Sequence, residues 1–124
     1  MPALVFVYGT LLSGEGNHDV LGGARCVGHG RTLPVFELRD LGDYPGLLEG
    51  GSQAVLGEVY EVDEETLRVL DDFEDHPRLY RRVTITLADG KDVEAYVLSE
   101  EQAAGSAAIE SGSWRERNRT KYVS

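Results

Sequence analysis

The sequence contains very little cysteine, and this scarcity limits its possible chemistry. Cys26 is the only cysteine among 124 residues, so no disulfide can form within the chain and no cluster of thiolates can hold a metal ion. A nucleophilic role would require a histidine base beside Cys26, and no sequence pattern places one there. We therefore expect Cys26 to be a small packed residue in a protein of a reducing compartment.

Long hydrophobic runs are also absent. No segment approaches the roughly 20 consecutive apolar residues that span a bilayer, and the first residues lack the flanks typical of a signal peptide. These absences predict a cytoplasmic protein that has no membrane partner. A chain of 124 residues, 41% of them hydrophobic, is large enough for one hydrophobic core, so we expect a single domain.

Basic residues are outnumbered. Twelve Lys and Arg stand against 22 Asp and Glu, which gives a net charge of −10 and opposes binding to nucleic acid. Residues 111–124 are the exception, because four basic residues and one acidic residue give this segment a charge of +3. We predict a domain over residues 1–110 followed by a basic C-terminal tail, which either remains free or docks on the acidic body through Trp114.

Spacings typical of metal ligands are missing as well. The histidines, His18, His29 and His76, show neither the His-x-x-x-His nor the His-x-x-Glu-His pattern. The sequence therefore predicts no metal site and no cofactor.

The chain begins with a strand that leads into a glycine-rich loop. Residues 3–8 are apolar and rich in β-formers, which predicts a central strand buried on both faces. The loop at residues 9–16 follows, and then Asn17 is expected to cap a short helix that ends after Leu21. Glycine lets a backbone approach a ligand closely, and successive free N–H groups can bind an anion. The loop matches neither the dinucleotide fingerprint nor the P-loop, so it is either a binding site for a carboxylate or phosphate or a simple turn.

A strand at residues 57–62 leads into an amphipathic helix that Asp63 is expected to cap. At about 100° per residue, one face of the helix is apolar, and it consists of Leu67, Val69, Leu70 and Phe73. Glu74 falls on this same face, four residues after Leu70. If the last turn includes Glu74, its carboxylate points at the core and has a raised pKa, as a proton acceptor requires.

A second interpretation of Glu74 is equally consistent with the pattern. Pro77 favours a helix that stops at Asp72 or Phe73, and Glu74 would then face solvent. Periodicity alone does not decide between the two interpretations.

The remaining pattern is dominated by strands. Alternating residues predict a hairpin of residues 82–87 and 92–97 joined across Asp89-Gly90, and residues 44–46 predict a turn. Strands with two short inserted helices indicate an α+β protein, with a strongly curved sheet or small mixed β-barrel.

Two segments taken together resemble a known family. They are residues 3–18, Ala-Leu-Val-Phe-Val-Tyr-Gly-Thr-Leu-Leu-Ser-Gly-Glu-Gly-Asn-His, and residues 57–82, which run from Gly-Glu-Val-Tyr to Leu-Asp-Asp-Phe-Glu-Asp-His-Pro-Arg-Leu-Tyr-Arg-Arg. In this order they are similar to the γ-glutamylcyclotransferase-like (AIG2-like) family, and the nearest branch is the γ-glutamylaminecyclotransferases. With the residues between them they cover most of residues 3–98.

The resemblance implies a fold and a set of roles. The fold is an α+β domain around a small β-barrel, and Glu74 is the proton acceptor, which favours the inward-facing interpretation. The substrate-binding residues carried over are Tyr8, Gly9, Thr10 and Leu11. Tyr44, Tyr80 and Tyr96 are further polar aromatics that could line the cavity, although tyrosines on a small sheet more often serve packing. Of these, only Tyr80, close behind Glu74 in sequence, is predicted to contact substrate.

The resemblance also implies an activity. Family members convert a γ-glutamyl amide to 5-oxoproline and a free amine, by attack of the substrate's own α-amine on its γ-carbonyl. The predicted function is a γ-glutamylamine cyclotransferase for a small γ-glutamyl substrate such as γ-glutamyl-lysine. Residues 109–114 depart from this branch and leave the released amine open. The alternatives are a non-catalytic small-molecule-binding or regulatory module, and an amide hydrolase in which Glu74 activates water.

Overall fold

The computed structural model describes residues 2–117, which form one curled mixed β-sheet with a helix packed against it. The eight strands are β1 (Ala3–Val7), β2 (Arg25–Arg31), β3 (Phe36–Asp40), β4 (Pro45–Glu49), β5 (Leu56–Val62), β6 (Arg81–Thr86), β7 (Asp92–Val97) and β8 (Ala107–Ala108). The helices of this part of the chain are α1 (Glu64–Phe73) and two 3₁₀ helices, His18–Leu21 and Trp114–Glu116. The predicted α+β class with a barrel-like sheet is confirmed.

Strand β1 lies in the centre of the sheet, as its apolar run predicts. It pairs antiparallel with β5 and parallel with β7, and Val5, Phe6 and Val7 are all buried. The antiparallel register places Glu58 of β5 opposite Val7, the last residue of β1. The carboxyl end of β1 and the start of the glycine-rich loop are thus beside Glu58.

Helix α1 returns from the end of β5 toward the carboxyl end of β1. Asp63 caps it through a hydrogen bond from the Thr66 N–H to Asp63 Oδ1 at 2.8 Å. Its ten residues span roughly 15 Å, about the length of a five-residue strand. The last turn of α1 is therefore expected near the level of Tyr8.

The predicted apolar face of α1 is correct for Leu67 and Leu70 and wrong for two residues. Leu70 is fully buried and Leu67 partly buried, whereas Val69 and Phe73 are 47% and 44% exposed. Val69 and Phe73 are four positions apart and form one flank of the helix. That flank extends beyond the sheet, because the surface available for α1 is narrower than its apolar stripe.

Among the other local predictions, some are confirmed and others are wrong. The hairpin of β6 and β7 is confirmed with its turn at Asp89 and Gly90. The turn predicted at residues 44–46 is shorter than expected, because β4 already begins at Pro45. Cys26 was expected to be packed, but it lies exposed on β2, a strand at the edge of the sheet.

The segment after residue 110 packs on the body as far as it is described. Trp114 is 2% exposed, in agreement with its expected role as the anchor. Residues 118–124, half of the predicted tail, lie outside the described residues, and the boundary at residue 110 stays a prediction. No helix within residues 2–117 is long and apolar enough to cross a membrane.

Candidate active site

A cavity of about 180 Å³ opens at the carboxyl end of β1. Its walls come from the glycine-rich loop, the end of α1, the start of β4 and the segment before β6. All residues selected from the sequence as site candidates line it: Tyr8, Gly9, Thr10, Leu11, Glu74 and Tyr80. Segments that lie more than 60 positions apart in the sequence therefore meet at one site.

The glycine-rich loop presents unused backbone donors. Within residues 2–117, the N–H groups of Gly9, Thr10 and Leu11 donate to no protein acceptor. A side chain at Gly9 would overlap the ring of Pro45, so glycine is required where the loop passes β4. Three successive free N–H groups in a cavity wall are suited to bind an anion.

Hydrogen bonds within the loop hold these donors in place. The Leu12 N–H donates to the Gly9 carbonyl at 3.0 Å, and the Asn17 N–H donates to the Thr10 carbonyl at 2.9 Å. Asn17 was expected to cap the following helix, but its side-chain amide instead donates to Thr10 Oγ1 at 2.9 Å. Asn17 therefore stands at the predicted N-cap position of the helix His18–Leu21, but its side chain closes the loop and does not cap the helix.

Glu74 lies immediately after the last residue of α1. The helix stops at Phe73, as Pro77 suggested, but the Glu74 N–H still donates to the Leu70 carbonyl at 2.9 Å. Its backbone keeps a helical conformation, with φ −85° and ψ 0°. The side chain consequently projects into the cavity, in the direction that the helical projection had indicated.

The carboxylate of Glu74 has no partner in the described part of the chain. It takes part in no hydrogen bond or ion pair there, and burial raises the pKa of Glu74 from its ordinary value of 4.5 to about 7. A carboxylate with such a pKa is divided between its two protonation states near neutral pH. It can accept a proton and return it within one reaction.

The tyrosines around Glu74 direct their hydroxyl groups elsewhere. Tyr8 donates to the Tyr96 carbonyl at 2.7 Å and accepts from the Leu47 N–H at 3.2 Å, while Tyr80 donates to the Pro45 carbonyl at 2.6 Å. Burial raises the pKa of Tyr80, and the negative charge of Glu74 raises it further. The pKa of Tyr8 is raised by burial as well. Both tyrosines remain neutral, and neither donates to Glu74.

Several wall residues were missed by the sequence predictions. Tyr96 lines the cavity, and its hydroxyl donates to Asp71 Oδ1 at 2.7 Å. Arg82 also donates to Asp71, at 2.9 Å, and to Glu94, at 2.7 Å. Further wall residues that were not predicted to contact substrate are Phe6, Val7, Asn17, Tyr44, Pro45, Phe73 and Leu79. Their place in the wall depends on tertiary packing, which local sequence patterns do not show.

The wall carries almost no charge. Of the wall residues that the structure describes, Glu74 is the only acidic one, and none is a lysine, arginine or histidine. Within residues 2–117, no three side chains of the types His, Cys, Asp and Glu are arranged to hold a metal ion. The backbone donors of the loop are consequently the principal groups that can receive a ligand's negative charge.

This α+β fold and its open cavity with one unpaired carboxylate are typical of a small-molecule site, and comparison with known proteins supplies the family. The model of the family described as "Gamma-glutamyl cyclotransferase, AIG2-like" matches residues 5–116. The chain belongs to this family, as the resemblance in sequence predicted.

Individual relatives agree with the family. A Vibrio cholerae protein, named provisionally as a γ-glutamylcyclotransferase, is 49% identical over 117 residues, which are 94% of this chain and 99% of that protein. The human γ-glutamylaminecyclotransferase is 49% identical over 92 residues, 67% of this chain and only 60% of the human protein's length. The crystal structure of a mouse AIG2-like protein superposes with a TM-score of 0.69 at 38% identity, covering 84% of this chain and 80% of the mouse chain.

Proposed function

We propose that this protein is a γ-glutamylamine cyclotransferase in which Glu74 is the general base. The nitrogen of the substrate's α-amine attacks the γ-carbonyl carbon, a new C–N bond closes the five-membered ring, and the original amide C–N bond breaks. Glu74 takes one proton from the α-ammonium group before the attack and passes it to the departing nitrogen, and a second proton then moves from the ring nitrogen through Glu74 to the released amine, which leaves as an ammonium ion. The products are 5-oxoproline and a free amine, and neither water nor a cofactor is consumed.

The observation that carries this proposal is that the unpartnered Glu74 and the free N–H groups of the loop share one cavity. An α-ammonium group has a reference pKa near 8, so proton transfer to an ordinary carboxylate costs roughly 5 kcal/mol. Transfer to Glu74, with a pKa of about 7, costs about 1 kcal/mol. Desolvation of Glu74 therefore matches the base to the group it must deprotonate.

The free N–H groups of Gly9, Thr10 and Leu11 are assigned to the α-carboxylate of the substrate. Among the described residues the wall contains no lysine, arginine or histidine, so these donors are the best partners that this part of the chain offers for that charge. A carboxylate held there fixes one end of the glutamyl group. The chain must then fold so that its amine reaches its own carbonyl, and holding reacting atoms in this geometry is a large source of rate.

The lack of cationic side chains among the described wall residues also favours a simple amine over an amino acid as the leaving group. A γ-glutamyl amino acid carries a second carboxylate near the reacting amide, and within residues 2–117 the cavity offers no cationic side chain to receive it. A simple γ-glutamyl amine needs no such partner. The name of the human relative, γ-glutamylaminecyclotransferase, is consistent with this preference, and γ-glutamyl-lysine, joined through its side-chain amine, keeps its own carboxylate several bonds from the reacting amide.

The test is an assay of purified protein with a panel of γ-glutamyl compounds and identification of the products. We expect 5-oxoproline from γ-glutamyl-lysine and γ-glutamyl-alkylamines, and slower release from γ-glutamyl-glycine. Free glutamate in place of 5-oxoproline would indicate an amide hydrolase. Binding of the same compounds in calorimetry without any product would indicate a binding module, and either result would reject the proposal.

A further inference from the structure

The loop that carries the free N–H groups is tied to the sheet by one carboxylate. The Ser13 N–H donates to Glu58 Oε1 at 2.8 Å, and the Ser13 hydroxyl donates to Glu58 Oε2 at 2.9 Å. Glu58 lies on β5 opposite Val7, and neither Ser13 nor Glu58 lines the cavity. The loop is therefore supported by a residue that does not touch the substrate site.

Glu58 is almost completely buried, with 3% exposure, yet it remains ionised. Burial opposes its ionisation, but the donors of Ser13, the Tyr60 hydroxyl at 2.9 Å and the charge of Arg115 outweigh this effect and lower the pKa of Glu58. A buried negative charge is stable only with such partners. The support of the loop thus depends on what surrounds Glu58.

Arg115 contacts both the carboxylate and the loop. Its two terminal nitrogens, Nη1 and Nη2, each lie 3.3 Å from Glu58 Oε2. Nη2 also donates to the carbonyl of Ser13 and, at 3.1 Å, to its hydroxyl. The planar fork of a guanidinium is suited to contacts of this kind, so a residue 102 positions after Ser13 completes the attachment.

The segment around Arg115 is held by contacts that do not involve the loop. Trp114 is buried, and the Arg117 guanidinium lies 3.7 Å from the centre of its ring. The Leu56 N–H donates to the Gly112 carbonyl at 2.9 Å. Arg115 consequently belongs to a segment that is held independently of the loop. Its guanidinium can therefore determine the position of the loop.

We propose that Arg115 is a positioning residue, which acts through Glu58 and Ser13 to keep the N–H groups of residues 9–11 directed at the substrate. This inference rests on the proposed function, because it assigns those groups to substrate binding. Glu74 is on a different element and is untouched by Arg115. Loosening the attachment should therefore weaken binding and leave the chemical step nearly unchanged.

The test compares Arg115→Ala with Arg25→Ala. Arg25 is a matched control, because it also pairs with a glutamate of β5, Glu61 at 3.5 Å, but on the surface and away from the loop. For Arg115→Ala we expect KM for γ-glutamyl-lysine to rise about tenfold, with kcat within about twofold and the pH profile of kcat/KM unmoved. Amide exchange at the hydrogen-bonded N–H groups of Leu12, Ser13 and Asn17 should accelerate about tenfold. Arg25→Ala should resemble the native protein in all of these measurements.

Emission of Trp114, the only tryptophan in the sequence, reports whether the segment is still docked in the variant. If Arg115→Ala does not fold, Arg115→Lys carries the test, because it retains the charge without the fork; we expect a KM rise of about threefold and faster exchange at Ser13. Native KM and native exchange in the folded variant would overturn the proposal. Amide exchange can be measured without turnover. If the protein has no cyclotransferase activity but exchange in the loop still accelerates in Arg115→Ala, the proposed function is contradicted while the positioning role of Arg115 is supported.

Discussion

Two glutamates, Glu58 and Glu74, lie near the carboxyl end of β1, and their surroundings give them opposite charge behaviour. Glu58 accepts hydrogen bonds from Ser13 and Tyr60 and pairs with Arg115, and its pKa is lowered. Glu74 has no partner among the described residues, and burial raises its pKa to about 7. One carboxylate is a fixed charge, whereas the other exchanges a proton near neutral pH.

The difference shows that burial alone does not determine what an acidic residue does. Desolvation acts on both side chains and raises the pKa of each, but donors around Glu58 reverse the effect. Hydrogen-bond donors surround Glu58, which supports the loop, but none donates to Glu74 in the cavity among the described residues. Tyr8 and Tyr80, which could have served Glu74, donate to backbone carbonyls instead.

The largest expected effect comes from removing the proton-accepting carboxylate. Glu74→Gln keeps the shape of the side chain but cannot accept the proton, so kcat should fall by about 10² to 10⁴ while the unfolding transition remains cooperative. Steady-state release of 5-oxoproline measures the loss. Glu65→Gln, on the exposed side of the same helix, is the matched control and should retain native kcat. Undiminished turnover in Glu74→Gln would end the general-base role.

Removing the other carboxylate should affect stability more than chemistry. Glu58→Ala leaves the buried Tyr60 hydroxyl and the Ser13 N–H without their acceptor and should lower the free energy of unfolding by about 3 kcal/mol. Urea denaturation followed by Trp114 emission measures this change. Glu61→Ala, which removes a surface pair from the same strand, should cost less than about 0.5 kcal/mol. Equal losses in the two variants would contradict the supporting role of Glu58.

The contrast between these glutamates was only half visible in the sequence. Glu74 was detectable because it falls on the apolar stripe of a helix, where a charge is out of place. Glu58 was not, since the strand Leu56–Val62 has no regular alternation that a buried charge would break. Its partners Ser13 and Arg115 are 45 and 57 positions away, and only the tertiary fold brings them together.

The limits of the sequence patterns have the same origin elsewhere in the molecule. The hairpin of β6 and β7 was predictable because its period and turn are local. The exposure of Phe73 was not, because it depends on how much of α1 the sheet can cover. Asn17 carried the residue type of a helix cap, but its side chain bonds to Thr10, a contact that the pattern of caps does not anticipate.

A smaller effect should appear in the pH dependence of stability, with opposite signs for the two residues. The raised pKa of Glu74 means that its contribution to the free energy of unfolding is complete below pH 4.5 and is lost as pH rises through about 7. This rise corresponds to roughly 3 kcal/mol, reduced to about 2 by water in the open cavity. The lowered pKa of Glu58 means that its contribution is present above its unfolded-state pKa and is lost as pH falls.

Denaturation of variants at several pH values measures these two signs. The difference in the free energy of unfolding between Glu74→Gln and the native protein should be about 2 kcal/mol more favourable to the variant at pH 8 than at pH 4. Glu58→Gln should show its deficit at pH 8 and lose part of it at pH 4. Glu65→Gln should show no trend. Parallel trends for Glu74→Gln and Glu58→Gln would mean that the two carboxylates do not differ in the way that their surroundings indicate.

The smallest expected effect is in the pH dependence of the reaction. It tests whether the Glu74 carboxylate is desolvated, and not only whether a carboxylate is present at this position. The reacting complex needs Glu74 ionised, so kcat/KM should rise about fivefold between pH 6 and pH 7 as a group with a pKa of about 7 loses its proton. An acid limb near pH 4.5 would mean that Glu74 is hydrated like a surface carboxylate in the free enzyme. Proton transfer from the substrate's amine would then cost several kcal/mol more than proposed, and Glu74 would no longer differ from a surface glutamate in its affinity for a proton.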